Sequence, residues 1–368
     1  MNGKPAFEHG GNLHKAVRLN CLAFDEVLDF SANINPLGLP ASIKKTLQAE
    51  VDHVIHYPDA EAKALKETIS HYYGVKEEYI TVGNGAVEIL YVLCHMVKPK
   101  HVLIPVPAFS EYERSARSAG AVVHYFYMKA QNDFVLPVDQ LLPQIAAADI
   151  LFLGNPNNPT GTLLLREDIE YLLKAAAADN TMVVIDESFL DFLPDDRPFT
   201  CRQLVSRYAN LIVLHSLTKF YAIPGLRLGF SLAQANLTQL FHSGKDPWNV
   251  NLLAQAAGVT ALHDKEYQTA SKSYMSEAKT AFFSQLQSIP NVRPYQPAVN
   301  FILADIRKTG MTAKQFCTRL TKYQILIRDC SNYPGLSSGY IRFAVKQSAQ
   351  NAILLQALRE IIEGGKHD

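Results

Sequence analysis

The stretch SLTKFYAIPGLRLGF, Ser216 to Phe230, follows the apolar run LIVLH. It sets Lys219 beside two hydroxyl residues and a glycine-punctuated loop, with Arg227 eight positions later. The run reads as a strand, which puts the lysine at the mouth of a sheet. A lysine partly removed from water there loses proton affinity and can attack a carbonyl as a neutral amine. By itself it reads as a surface lysine. What decides is what the rest of the chain brings to the same place.

From about Tyr79 onward, short apolar runs alternate with helix-like segments. YITVG, HVLIPV, VVHYFYM, ILFLG, MVVID and LIVLH read as strands, with helices expected over Ala86–Met96 and near Ser110–Ser118. Most of these runs lack polar alternation, which suits strands covered on both faces. A mostly parallel sheet between helices, an α/β fold, is therefore expected. After Asn251 an alanine- and lysine-rich segment to about Gln287 reads as one long helix. Two or three short strands and a last helix, Ala349–Glu363, then suggest a small α+β domain. The first forty residues, rich in Asn, Gly and Pro, read as an arm. The expected division is an arm over 1–40 joining the small domain, a large domain over 41–250 and the small domain over 251–368.

Ligands of open α/β sheets bind at the carboxyl ends of the strands, and here those ends read GNGAVE, VPAF, GNPNNPTG, DESF and HSLTK. Asp186 is either a helix N-cap or a carboxylate that pairs with a ring nitrogen and keeps it protonated. GNGAVE opens a helix whose first N–H groups, Ala86 and Val87 among them, favour a phosphate. Ser216, Thr218 and Arg227 can close around the same anion. The Asn-Pro steps of GNPNNPTG exclude helix, so Asn158 is held in a fixed loop from which it can donate to a phenolate-like oxygen. Phe109 reads either as a ring lying flat on an aromatic ligand or as core.

Composition narrows the function classes. Lys plus Arg and Asp plus Glu number 35 each, which leaves no net field to draw nucleic acid or an anionic membrane. No apolar run approaches the length of a membrane span, and the start, MNGKPAFEHGGN, lacks the apolar core of a secretory signal. The five cysteines, Cys21, Cys94, Cys201, Cys317 and Cys330, are odd in number and widely spaced. Reduced thiols in the cytoplasm are the expectation. The histidines show no metal-ligand spacing, so no metal site is expected.

The ordered set NPNNPTG, DES and SLTK…GLRLG resembles the fold-type I pyridoxal-phosphate enzymes, the aspartate aminotransferase superfamily, over nearly the whole chain. The resemblance implies pyridoxal 5'-phosphate as cofactor, with Lys219 condensing with its aldehyde, Asp186 on the pyridine nitrogen and Asn158 on the ring oxygen. It further implies that Phe109 stacks on the ring and that Ala86, Val87, Ser216, Thr218 and Arg227 cradle the phosphate. Tyr57, in HYPD, matches a tyrosine that reaches the phosphate bound by a partner subunit, which implies a homodimer with shared active sites. One position departs from the pattern. Phe189 stands where the superfamily often has a tyrosine that donates to the ring oxygen, and its loss is expected to disfavour transamination.

Within the superfamily the chain resembles the histidinol-phosphate aminotransferase branch. Three strings, HGGN, DFSANINPLG and IRDCSNYPGL, resemble the threonine-phosphate decarboxylases of cobalamin biosynthesis within it. The activity implied is decarboxylation of L-threonine O-3-phosphate to aminopropanol phosphate, or of O-phospho-L-serine to ethanolamine phosphate. Arg328 and Arg342 match arginines that grip substrate anions, with their division between carboxylate and phosphate left open. His9 and Asn33 are phosphate partners by resemblance, although His9 also reads as an arm histidine without a role. The alternatives are a histidinol-phosphate aminotransferase and a pyridoxal-phosphate-binding regulator; against the second, no basic helix-turn-helix arm precedes the cofactor region.

Overall fold

The computed structural model describes residues 10–11, 13–20 and 26–364. Its strands are β1 Leu28–Asp29, β2 Ile80–Gly83, β3 His101–Val106, β4 Val122–Tyr127, β5 Ile150–Gly154, β6 Met182–Asp186, β7 Leu211–Ser216 and β8 Gly229–Leu232. These are followed by β9 Arg293–Pro294, β10 Phe301–Asp305, β11 Ile325–Leu326, β12 Arg328–Asp329 and β13 Tyr340–Ala344. Strands β2 to β8 form a seven-stranded sheet in the order β2-β8-β7-β6-β5-β3-β4. Only β8 runs against its neighbours, so the mostly parallel sheet expected from the apolar runs is the one observed.

Burial on both faces explains the composition of these strands. Along β6 and β7, Val183, Ile185, Leu211 and Val213 enter one core, while Val184, Ile212 and Leu214 enter a second on the opposite face. Helices Ala86–Val97, Ser110–Ser118 and Ala235–Gly244 cover the second face; Lys63–Tyr73, Val138–Ile145 and Arg166–Ala178 cover the first. Successive side chains of a strand point to opposite faces, so a run with no polar alternation requires both layers.

Two expectations are corrected in the tail and one at the start. The helix expected to run unbroken to Gln287 is two, Leu252–His263 and Lys265–Gln287. The break is at Asp264, whose backbone leaves the helical region and whose carboxylate accepts the Tyr267 N–H as an N-cap at 2.9 Å. The later strands number five rather than two or three; β12, β13, β10 and β9 form a separate antiparallel sheet in that order. The N-terminal arm carries elements of its own, a helix at Leu13–Asn20 and β1, which pairs in parallel with β11.

Behind the strand ends lies a buried polar cluster. His215 Nε2, on β7, stands 2.8 Å from Asp191 Oδ2 and 2.9 Å from Tyr73 Oη. The guanidinium of Arg202 lies over the Tyr73 ring, 4.7 Å from its centroid. Glu187 accepts from the Cys201 N–H at 2.6 Å and the Thr200 hydroxyl at 2.9 Å. This cluster ties the loop after β6 to the end of β7, the two segments that carry Asp186 and Lys219. Burial alone would raise the Asp191 carboxyl, but the charge and hydrogen bond of His215 outweigh it and hold Asp191 below the usual range. Asp191→Ala is expected to cost about 3–5 kcal/mol, as breaking a buried pair does, measured by urea unfolding of the whole chain. Because the folded-state value is depressed, this contribution is present above the unfolded value of about 3.9. It is lost as pH falls through the folded one, so stability of the variant should depend less steeply on pH in that acid window.

Candidate active site

Strand β7 ends at Ser216 and the chain makes a single helical turn, Leu217–Phe220, which brings Lys219 back over the strand end. Lys219 Nζ donates to Ser216 Oγ at 2.9 Å, and Ser216 Oγ lies 2.9 Å from Thr218 Oγ1. The lysine is half-buried, with its Nζ 5.9 Å from the centre of the Phe189 ring. Burial pulls its ammonium down to about 8; Asp186 opposes the shift and Arg227 adds to it. Asn35 locks the turn from the N-terminal segment: its N–H donates to the Lys219 carbonyl at 3.0 Å and its amide to the Phe220 carbonyl at 2.7 Å.

An anion cradle adjoins this lysine. Gly85 precedes helix Ala86–Val97 at φ +83°, and a Cβ there would stand 2.5 Å from Arg227 Nη2. A Cβ on Gly229 would stand 2.5 Å from the Ala86 nitrogen. The glycines are therefore required by the close approach of Arg227 and β8 to the start of the helix. Arg227 itself holds a left-handed backbone, φ +60°, and is exposed. The first N–H groups of a helix lack intrahelical acceptors; those of Ala86 and Val87 open this one, with Arg227 close to Gly85 and the Ala86 nitrogen close to Gly229, the register partner of Ser216. Glu88 takes the Asn84 N–H and the Asn249 amide at 2.7 and 2.6 Å, which shapes the turn without filling the cradle.

At the end of β6, Asp186 is held by two donors, the Tyr112 hydroxyl at 2.8 Å and the Ser188 N–H at 2.9 Å. Phe109, half-buried, begins helix Ser110–Ser118 and meets Tyr112 edge-on at 5.6 Å. The GNPNNPTG loop is pinned by its own amides. Asn155 bonds the Leu164 N–H and carbonyl, and Asn157 donates to the Pro107 carbonyl and Thr160 Oγ1. Asn158 is thereby left half-buried, with its side-chain oxygen accepting from Arg342 Nη1.

The two arginines come together across strands. Arg328 and Arg342 face each other in the register of β12 and β13. Arg342 donates through Nη2 to the Ser31 carbonyl at 2.9 Å and lies over the Phe301 ring, which in turn meets Phe189 edge-on at 5.0 Å. Burial lowers the Arg342 guanidinium from its ordinary value. Arg328 donates to Asn332 Oδ1 at 2.8 Å and lies over the Tyr333 ring. Asn33 is buried, and its Oδ1, like Arg342 Nε, has no hydrogen-bond partner among the described residues. His9 lies outside the described residues.

Tyr57 is not part of this cluster within the chain. It is 78% exposed and packs on Trp248, ring centroids 4.6 Å apart, beside an open groove of about 450 Å³ lined with Val54, Asn251, Leu252 and Leu253. Sequence reasoning missed Tyr112, Ser31, Asn35, Asn332 and Tyr333. For Tyr112 a signal existed: it follows Phe109 by three positions at the start of a helix, where both side chains reach one face. The others depend on pairings between distant segments.

A family model for aminotransferase class I and II matches residues 25–358. The chain belongs to that family. It is 35% identical to the threonine-phosphate decarboxylase of Salmonella typhimurium over 97% of both chains. Its backbone is similar to those of histidinol-phosphate aminotransferase from Clostridium acetobutylicum and L-threonine-O-3-phosphate decarboxylase from Porphyromonas gingivalis. The first gives a TM-score of 0.85 at 29% identity and the second 0.81 at 27%, each covering 91% of this chain and 99% of the other. Backbone shape alone does not separate the two activities.

The cofactor of the family is pyridoxal 5'-phosphate, and the residues present fit it. There is a lysine with a depressed ammonium for the aldehyde, and a cradle that a Cβ on Gly85 or Gly229 would obstruct. A carboxylate stands at the neighbouring strand end. In the cofactor-free protein, covalent capture of pyridoxal phosphate is expected to need Lys219. Because only the neutral amine attacks, its rate should rise as pH passes about 8 and level off above it. An exposed lysine would show the rise near 10.4. Borohydride trapping followed by peptide mapping, across a pH series with Lys219→Ala as control, measures this.

Proposed function

We propose that the enzyme decarboxylates L-threonine O-3-phosphate, releasing aminopropanol phosphate, with O-phospho-L-serine as a second substrate that yields ethanolamine phosphate. The paired arginines, Arg328 and Arg342, carry this reading because they offer two fixed cations to a substrate with two anions. The similarity to the Salmonella decarboxylase along both chains supports it. Histidinol phosphate, the amino donor of the alternative reading, has a phosphate but no carboxylate.

When bound, pyridoxal phosphate supplies an electron sink for the pair released as a Cα bond breaks. Lys219 would hold the aldehyde, Asp186 the ring nitrogen, Asn158 the ring oxygen and Phe109 the ring face. The N–H groups of Ala86 and Val87, with Ser216, Thr218 and Arg227, would hold the phosphate. Arg342 is assigned the substrate carboxylate because it already reaches Asn158 and has Nε unspent. Arg328 is assigned the substrate phosphate, with Asn33 as a further contact and His9 from the N-terminal segment. Phe189 and Phe301 form an apolar shelf between Lys219 and Arg342. That shelf limits water beside the scissile Cα–carboxylate bond and gives the ring oxygen no hydroxyl donor. After carbon dioxide departs, Lys219 Nζ would return a proton to Cα.

The same reading divides the chain into the arm 1–40, a cofactor domain over 41–250 and a small domain over 251–368. In its favour, the seven-stranded sheet lies within the second range and the four-stranded sheet within the third. It takes the protein as a homodimer in which Tyr57 serves the partner's cofactor phosphate. In support, Tyr57 and Trp248 sit exposed on an apolar groove with Val54 and Ile55 nearby in sequence. It places the enzyme in the cytoplasm, in keeping with four free cysteines among the described residues. No helix among those residues is long and apolar enough to cross a membrane.

The decisive assay is carbon dioxide release by the cofactor-loaded protein with each phospho-amino acid and no oxo-acid. Histidinol phosphate with 2-oxoglutarate, scored for glutamate, is the control. Gas without oxo-acid is the expected result; glutamate with no gas would replace the reading by the aminotransferase. The one-methyl difference between the substrates is worth about 1–3 kcal/mol, or about 10–200-fold in kcat/KM. Arg328→Ala should raise KM for the phospho-amino acid about 30-fold or more, the about 2 kcal/mol or greater cost of deleting a buried charged partner. Arg342→Lys should lower kcat/KM by removing the two-pronged geometry a carboxylate needs.

A further inference from the structure

Tyr112 holds no role in the machinery described above, yet it is fixed on every side. Its ring is 2% exposed, stacks on Phe152 at 5.4 Å with planes 5° apart, and meets Phe109 edge-on at 5.6 Å. Its hydroxyl donates to Asp186 Oδ2 at 2.8 Å, while the other carboxylate oxygen accepts the Ser188 N–H at 2.9 Å. At the end of β5 the chain leaves space for this hydroxyl: a Cβ on Gly154 would stand 3.3 Å from Tyr112 Oη and 3.2 Å from Asn157 Oδ1. Burial, with Asp186 alongside, raises the phenol well above its ordinary value, so it stays a donor throughout the working range.

We propose that Tyr112 is a positioning residue that tunes the bound cofactor through Asp186. The proposal rests on the reading that Asp186 pairs with the ring nitrogen. An O–H dipole aimed at the carboxylate fixes its rotation and takes up part of its negative charge, as partners behind a ligating group do at metal sites. Hydrogen bonds in such a chain polarise one another. With the hydroxyl removed, more negative charge faces the cofactor. Nearby negative charge favours protonated, cationic forms, so the bound cofactor should hold its proton to higher pH.

The test uses the full chain saturated with pyridoxal phosphate and follows its visible absorbance across pH. Three variants accompany the parent: Tyr112→Phe, Phe152→Leu and Lys219→Ala. Tyr112→Phe removes only the hydroxyl. Phe152→Leu disturbs the ring stack but keeps the hydroxyl. The expected result is a midpoint in Tyr112→Phe higher than the parent's by about 0.5 pH unit or more, a threefold or greater change in proton affinity. Phe152→Leu should move it by less than half as much. An unchanged or lowered midpoint in Tyr112→Phe, or an equal shift in both variants, would overturn the proposal and leave Tyr112 as packing. If the parent shows no absorbance band that depends on Lys219, it is the cofactor reading itself that fails, which separates the two outcomes.

Discussion

The ammonium of Lys219, half removed from water with Ser216 as its hydrogen-bond partner, is the constraint on which the arrangement of the site depends. Removal from water of this kind lets an amine shed its proton closer to neutral pH. Desolvation is the main cause of that shift here, and the neighbouring charges adjust it. Arg227 and Asp186 act on the lysine in opposite directions, and the value of about 8 is what remains after burial. The sheet supplies the placement: β6 and β7 are paired in parallel, so the positions at their carboxyl ends are set by backbone hydrogen bonds rather than by flexible loops.

The packing behind the strand ends supports the same placement. Side chains of β6 and β7 divide between two apolar cores, and the strands cannot shift register without exchanging their buried faces. The polar cluster of His215, Asp191, Tyr73, Arg202 and Glu187 then clamps the two loops from below. Charged groups in such a position contribute little net stability as a set, because each is taken from water. Their geometry nevertheless leaves few alternative positions for the loops that carry Asp186 and Lys219.

Arg328 and Arg342 belong to a different sheet from Asp186 and the strand before Lys219, and they are held by contacts with remote segments. Arg342 meets Asn158 and Ser31, and β1, two residues before Ser31, pairs with β11, which leads into Arg328. The start, middle and end of the chain thus meet at Arg342. Phe189 and Phe301 form an apolar surface between Lys219 and Arg342, where charged groups are costly to hold without partners.

Much of this was written locally. Each apolar run became the strand it predicted: for the inner strands burial on both faces demands unbroken hydrophobicity, while β4, at the edge of the sheet, is largely exposed. That Lys219, Asp186, Asn158 and the glycine-bounded start of the Ala86 helix follow strand ends was legible, because strand ends and their turn residues are local signals. The break at Asp264 was hidden by a helical composition on both sides of a single capping side chain. Only the tertiary structure decided that Tyr112 reaches Asp186, that Arg328 and Arg342 face one another, and that Asn35 and Ser31 join the site. Those contacts link segments tens to hundreds of residues apart, and their distances follow from packing and register, which no local pattern of residues encodes.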